Sequence, residues 1–238
     1  MPTKIDRYWS TFFGISPDTF EKPGAMVVPH AGLKDYNGAW LFVRGQRIIL
    51  SVPSQMVLEM TGKVETETLD WDDPLSEKVL HELFGDRITK MIGPVFQGYY
   101  SLPDLSFTQS EEVREIEGSG DLEALRDLGE SCDHDGWGDS GLGEARHASY
   151  GLWLRGQLVA AANYKVLPGE AGFIGVFTHP EYRGRGHGQT VVQAVVSDLY
   201  SRDHLVLYQT LMSNESSVGL ARRVGIVEYA RNMAVRLR

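Results

Sequence analysis

Between residues 172 and 200 the chain passes from an apolar run into a turn crowded with glycine and arginine, then at once into a helix-patterned segment. Few folds accept that order. The stretch reads Gly175-Val176-Phe177-Thr178-His179-Pro180-Glu181-Tyr182-Arg183-Gly184-Arg185-Gly186-His187-Gly188-Gln189-Thr190. Phe173 to Thr178 has the composition of a buried strand, and Gly188 to Tyr200 places Val192, Val195, Val196 and Leu199 on one side of a helix. Glycines let the backbone approach a ligand closely, and successive amides then point at an anion. A helix start adds roughly half a positive charge, and Arg183 and Arg185 bring full charges that can grip phosphate oxygens in pairs. Together these features read as a pyrophosphate cradle. It is neither of two common phosphate loops: glycines at 184, 186 and 188 miss the G-x-G-x-x-G spacing, and no Gly-Lys-Ser/Thr ending follows. The plain alternative is a turn that only reverses the chain.

An anion site is unexpected in a chain of 238 residues with net charge −9 and a pI near 5.3. The charge is segregated, however. Residues 1–110 carry −4, residues 111–145 carry −10, residues 146–178 carry +2 and residues 179–238 carry +3. The acidity is therefore concentrated in a 35-residue stretch with twelve carboxylates and two arginines, which reads either as a solvated face or as the border of a site for something cationic. General nucleic-acid binding is disfavoured by the net charge. A single cysteine, Cys132, excludes an internal disulfide and fits a reducing compartment. The first residues lack the apolar run of a secretory leader, and no stretch approaches the ~20 apolar residues that span a bilayer. These features lead us to expect a soluble cytoplasmic protein with no membrane or nucleic-acid partner.

Pattern and turn signals predict a helix over 4–13, strands over 25–29, 40–44 and 46–50, a helix from Pro53 to about Thr61, another over 75–84 and a strand over 95–100. Leu102-Pro103-Asp104-Leu105-Ser106 has linker composition, which predicts two domains, 1–106 and 107–238. Beyond it we expect a strand over 113–116, a helix over 121–128, a hairpin of 150–154 with 158–165, and a strand over 173–178. A helix over 188–200, a strand over 205–211, a helix over 216–224 and a final strand over 227–237 complete the pattern. Leu41-Phe42-Val43-Arg44-Gly45-Gln46 echoes Leu152-Trp153-Leu154-Arg155-Gly156-Gln157. The echo is either a coincidence of two hairpins or the trace of a duplicated, diverged domain.

The segment Arg183-Gly184-Arg185-Gly186-His187-Gly188 resembles the R/Q-x-x-G-x-G/A signature of the GNAT superfamily, the acetyl-CoA-dependent N-acyltransferases. Asn214, Ser217, Gly225 and Ile226 are similar to that family's second motif in type and spacing. The resemblance covers roughly residues 111–238. It implies an α/β (α+β) fold with a mixed, mostly antiparallel central sheet flanked by helices, preceded here by a smaller α/β domain. It also implies acetyl-CoA as co-substrate. Main-chain groups of Val176, Phe177 and Thr178 would bond its pantetheine arm in the manner of strand addition. Arg183, Gly184, Arg185, Gly186, His187, Gly188 and Gln189 would wrap the pyrophosphate, and Asn214 and Ser217 would lie near the thioester.

The family's usual glutamate base and tyrosine acid fall at Gly172 and Ala221, which cannot ionise. Substitute candidates are Glu170, on the same face as Gly172 if the strand extends that far, and Tyr208 or Tyr229 as acids. His134 and Asp135 in the acidic loop are further candidates. Each has a plainer reading as a turn, core or surface residue. The histidines show no metal-ligand spacing, the run Asp133 to Asp139 lacks the terminal glutamate of a calcium loop, and Cys132 has no partner that would make it a nucleophile. No metal is expected. The leading expectation is acetyl transfer to an amine by direct attack in a ternary complex. The alternative is a catalytically silent acyl-CoA-binding sensor. In the family fold the acceptor side includes the acidic stretch, which leads us to expect a cationic acceptor. Residues 1–106 are left as a diverged copy, a lid or a dimerisation surface.

Overall fold

The computed structural model describes residues 3–34, 36–66, 69–102, 110–131, 137–138, 140–142 and 148–238. In chain order its elements are α1 (Lys4–Phe13), β1 (Gly24–Pro29), β2 (Gly38–Arg44), β3 (Arg47–Val52), α2 (Val57–Thr66), α3 (Glu77–Phe84) and β4 (Ile88–Tyr100). There follow β5 (Val113–Glu115), α4 (Gly118–Glu130), β6 (Ala148–Leu154), β7 (Gln157–Leu167), β8 (Ala171–Thr178), α5 (His187–Ser201), β9 (Leu205–Leu211), α6 (Glu215–Val224) and β10 (Ile226–Leu237). They form two compact units. One comprises Met1–Gln97, Thr210–Glu215 and Glu228–Arg238, and the other Gly98–Gln209 and Ser216–Val227.

These units are interleaved rather than consecutive, unlike the division at 106/107 that the linker composition suggests. The reason is β10. It pairs antiparallel with β2, from Arg231 opposite Val43 to Arg236 opposite Gly38. Its Met233, Val235 and Leu237 join the core made by Leu41, Ile48, Leu50 and Val52 with Met60, Val79, Leu80 and Leu83 of α2 and α3. The linker residues 103–109 lie outside the described residues.

Within the first unit the strand order is β1-β3-β2-β10-β4, with β1 parallel to β3 and the hairpin partners β2 and β3 antiparallel. Alternate residues of β2 serve opposite faces: Leu41 enters the core just described, while Phe42 meets Trp9 and Phe13 of α1 at ring-centroid distances of 4.7 and 5.1 Å. A reciprocal capping box of Thr3 and Asp6 starts α1, and Gly14 (φ 68°) ends it. Asp6 then does more than cap. It also accepts from the Tyr229 hydroxyl (2.8 Å) and pairs with Arg44 (2.5 Å).

The second unit has the order β9-β8-β7-β6-β5. β5, β6, β7 and β8 are successively antiparallel, and β8 runs parallel to β9. α5 covers one face of this sheet through the buried Val191, Val192, Val195, Val196 and Leu199. The opposite face holds Ile116, Leu128, Leu142, Leu158, Ala161 and Phe177 under α4. A strand covered on both sides reads as continuously apolar rather than alternating, and Leu158 to Ala162 of β7 are all buried. This is the mixed, mostly antiparallel sheet flanked by helices that the resemblance implies.

Three local differences have physical causes. β4 begins at Ile88, seven residues before the expected Val95, because the exposed Thr89 and Lys90 and the Gly93-Pro94 pair disguise its start. α2 starts after a short 3-10 turn and runs through Gly62 to Thr66; downstream, Lys63 Nζ reaches the Leu83 carbonyl at 2.7 Å. The two echoed hairpins differ in register: Gly45 (φ 54°) is the first residue of its two-residue turn, whereas Gly156 (φ 83°) is the second, after Arg155 (φ 52°). Matching letters therefore sit at different turn positions.

Asp6 yields a test of the first unit. Burial pushes its carboxyl up, but hydrogen bonds from Thr3 and Tyr229 and the charge of Arg44 outweigh it and hold the group below its ordinary value of 3.8. A depressed folded value adds stability above the unfolded value and loses it as pH falls through the folded one. Asp6→Asn should therefore lower stability at pH 7 by about 2 kcal/mol in urea unfolding. The gap to the parent should close as pH drops below 3.8.

Candidate active site

β8 and β9 pair only at Ala171–Leu205, Gly172–Val206 and Phe173–Leu207. Both strands continue past that point, β8 for five residues to Thr178, without pairing to each other. Antiparallel pairing to β7 holds the other edge of β8 along its whole length. The main-chain groups of Ile174 to Thr178 that face away from β7 thus have no partner on β9 over ~16 Å, as on an edge strand.

The glycine–arginine turn follows directly. His179 to Tyr182 close a 3-10 turn, with the His179 Nδ1 accepting from Glu181 N–H at 3.2 Å and Tyr182 N–H donating to the His179 carbonyl at 2.9 Å. Gly184 (φ 75°) and Gly186 (φ 86°) take left-handed backbone, and a Cβ built on either would meet nothing within 4 Å. These glycines are therefore set by backbone conformation, and the space beside them is open. Gly186 also stands at the N-cap of α5 and brings no side-chain cap to the first amides of the helix, His187, Gly188 and Gln189. Gly188 answers a different need: a Cβ there would lie 2.9 Å from Thr178 Oγ1 and 3.0 Å from Leu220 Cδ1. Only glycine brings the first turn of α5 this close to the end of β8 and to α6.

The two arginines differ. Arg183 is tied back by its Nε to the Thr178 carbonyl at 3.1 Å and lies 5.4 Å from the centre of the Phe177 ring. Arg185 is exposed and stacks 5.5 Å over the Tyr182 ring, whose hydroxyl donates to Gln157 Oε1 at 3.1 Å. The sequence-predicted residues Val176, Phe177, Thr178, Arg183, Gly184, Arg185, Gly186, His187, Gly188 and Gln189 thus form one continuous strand–turn–helix feature. The Phe177 side chain itself points into the α4 core, edge-on to Trp137 at 5.6 Å, so its contribution to a ligand is main-chain only.

The other candidates fare differently. Ser217, in the first turn of α6, is hydrogen-bonded to Tyr208 of β9 at 2.8 Å. Tyr208 is 2% exposed, and burial raises its hydroxyl above the ordinary value of 10 despite the bond to Ser217. It is the first residue of β9 past the last pair with β8. Asn214 is exposed rather than buried, in a turn where its N–H donates to the Leu211 carbonyl at 3.0 Å. Glu170 is not on the face of β8. Its φ of 58° puts it in the turn before the strand, exposed, at the end remote from Thr178. Tyr229 belongs to the first unit, where its hydroxyl donates to Asp6 Oδ1. Cys132, Asp133, His134, Asp135 and Asp139 lie outside the described residues.

Gly172 carries a further constraint. A Cβ on it would lie 2.2 and 2.6 Å from the methyl carbons of Leu199. The place where the family pattern expects a glutamate is therefore filled from α5. Ala221 is likewise wholly buried. Sequence reasoning overlooked Asn163, 1% exposed on β7; the available signal was one amide inside Val159-Ala160-Ala161-Ala162-Asn163-Tyr164. Among the described residues no three His, Cys, Asp or Glu side chains are grouped to hold a metal, and no helix is long and apolar enough to cross a membrane.

Residues 111–226 match the model of the acetyltransferase (GNAT) family. Comparison with curated proteins gave no match. Among solved structures, the chain is similar to a protein described as a GNAT-family acetyltransferase from Novosphingobium aromaticivorans, with 22% identity over 63% of this chain and 66% of that one and a TM-score of 0.51. A GNAT-family acetyltransferase from Colwellia psychrerythraea gives 12% identity, 68% and 62% coverage and a TM-score of 0.52. At such identities the likeness is one of fold, and the chain spans less than two thirds of the length of these proteins.

The packing at Gly172 predicts that restoring the missing carboxylate fails. Gly172→Glu should cost stability by overpacking, roughly 1–3 kcal/mol, and part of that loss should return when Leu199→Ala makes room. Thermal unfolding of the two single variants and the double variant measures this directly.

Proposed function

We propose, from the match of residues 111–226 to the acetyltransferase (GNAT) family model, that the protein is an acetyl-CoA-dependent N-acetyltransferase acting on an amine by direct attack in a ternary complex. The observation that carries this reading is the parting of β8 from β9 after Phe173, immediately before an uncapped, glycine-lined helix start. The residues present fit the co-substrate. The edge of Ile174 to Phe177, unpaired with β9, suits the pantetheine amides, while the Thr178 carbonyl holds Arg183 Nε. The open space at Gly184 and Gly186, the amides of His187 to Gln189 and the charges of Arg183 and Arg185 suit the pyrophosphate. Bound there, acetyl-CoA supplies the thioester.

The amine nitrogen bonds the acetyl carbon as the carbon–sulfur bond breaks; the electron pair goes to sulfur, and the proton lost by the amine is balanced by protonation of the departing thiolate, directly or through solvent. Neither Gly172 nor Ala221 can take part in that proton traffic. Rate enhancement then rests chiefly on orientation, which can supply ~7–11 kcal/mol of the barrier, at the expense of the ~10²–10⁴ that a general acid or base adds. Burial raises the Tyr208 hydroxyl above its ordinary value, which suits an acid rather than a base, and that hydroxyl is hydrogen-bonded to Ser217 Oγ at 2.8 Å. Glu170 is given no role. The filled position at Gly172 favours a second reading, an acyl-CoA-binding sensor without turnover.

Acetyl-CoA at about 100 times its dissociation constant should stabilise the native protein by ~2.7 kcal/mol, seen as a rise in Tm. Gly186→Asp, which sets a like charge in the cradle, should abolish that rise. Thiol release with spermidine, benzylamine, a lysine peptide and a peptide with a free α-amino group then separates the readings. Turnover with any of them supports the transferase, while binding without turnover leaves the sensor.

The acidic segment 111–145 supports a cationic acceptor. Neutralising Asp133, Asp135 and Asp139 together to asparagine should raise KM for spermidine roughly tenfold and leave benzylamine nearly unaffected. Equal effects on both would contradict the assignment.

A further inference from the structure

The parted strands β8 and β9 are bridged by a third element, α6. A Cβ on Gly188, at the start of α5, would lie 2.9 Å from Thr178 Oγ1, 3.0 Å from Leu220 Cδ1 and 4.0 Å from Val176 Cγ2. Leu220 of α6 therefore stands at the end of β8. One turn earlier on the same helix, Ser217 is hydrogen-bonded to Tyr208 of β9 at 2.8 Å. Residues three and four apart share one side of a helix, so the side of α6 made by Ser217, Leu220 and Ala221 reaches from β9 to β8. All of these residues belong to the second unit. Leu220 and Ala221 are apolar, and Ser217 alone of the three carries a hydroxyl. It is half-buried, whereas Tyr208 is 2% exposed.

Phe173 and Leu207 form the last pair between the two strands, so Tyr208 stands where the parting begins, level with Ile174. The proposed function lays the acyl arm from the glycine–arginine turn toward that point, which brings its thioester end to Tyr208 and Ser217. We propose that the Ser217 hydroxyl donates a hydrogen bond to the acetyl-CoA sulfur as negative charge develops there, with Tyr208 as the positioning residue behind it. This rests on the acetyltransferase reading and deepens it. Of two bonded hydroxyls the more acidic phenol is the better donor, and when Tyr208 donates, the Ser217 hydrogen turns away from it. A bond to an atom that gains charge strengthens in the transition state, so it acts on kcat rather than on binding. No proton passes through the pair, and the thiolate is neutralised as described above.

The test compares Ser217→Ala, Tyr208→Phe and the double variant in the full chain, with the best amine of the panel. Ser217→Ala should lower kcat roughly tenfold to a hundredfold, with KM for acetyl-CoA little changed and the rise in Tm on adding acetyl-CoA retained. Tyr208→Phe should lower kcat by a smaller factor, and the double variant should match Ser217→Ala, because Tyr208 acts only through Ser217. Ser217→Thr, which keeps the hydroxyl, should recover most of the rate. A kcat for Ser217→Ala close to that of the parent overturns the proposal. A double variant whose loss is the product of the two single losses overturns it too, as does loss of the Tm rise, which would make Ser217 a binding contact only. If Tyr208→Phe does not fold, judged by circular dichroism, the alanine and threonine variants at 217 decide alone. Failure of the underlying reading looks different: the unsubstituted protein then acetylates none of the amines, and this proposal falls with it.

Discussion

The site depends on one event in the sheet: two parallel strands that start as neighbours stop pairing after Phe173 and Leu207. A parallel pair inside a covered sheet normally keeps its ladder, because an unpaired amide or carbonyl buried there is costly. Here the loss is confined to one edge of β8, since β7 satisfies the other from Ala171 to Thr178. The packing that holds the strand in that position is as specific as the gap. Leu199 fills the space over Gly172 at the last paired turns, and the absence of a side chain at Gly188 lets α5 start against Thr178. A larger residue at either point would move helix and strand apart and disturb the parting between them.

Much of this was legible in the sequence because it is local. The strand, turn and helix around Arg183 to Gly188 follow from apolar runs interrupted by glycines with required positive φ, at 184 and 186. Most element boundaries in the second unit were legible for the same reason. What could not be read was non-local. β10 is an ordinary terminal strand in sequence, and only its pairing with β2 shows that it completes the core of the other unit. Gly172 reads as a missing catalytic group until Leu199, 27 residues on, is seen against it. Glu170 reads in sequence either as a strand residue or as a turn residue, and its left-handed backbone before β8 decides for the turn. Asn163 is one polar letter in an alanine run, and only the folded sheet shows it buried opposite Gly175.

The charge distribution follows the same division. The glycine–arginine turn lies in the net positive part of the chain, residues 146–238, and the acidic excess precedes it by some forty residues. Net charge averages these two fields and describes neither. On the proposed reading, the glycine–arginine turn and the carboxylate-rich segment would bring a polyanionic donor and a cationic acceptor together. With no ionisable group at 172 or 221, such positioning is the main resource left for the reaction.

The central claim is that the free edge of β8 and the adjoining helix start bind the donor. Amide hydrogen exchange, compared with and without acetyl-CoA, tests it most directly. The account predicts slowed exchange concentrated in residues 174–178 and 183–189, with the paired segment 171–173 little changed. Protection confined to other segments, or none at concentrations that raise Tm, would contradict it.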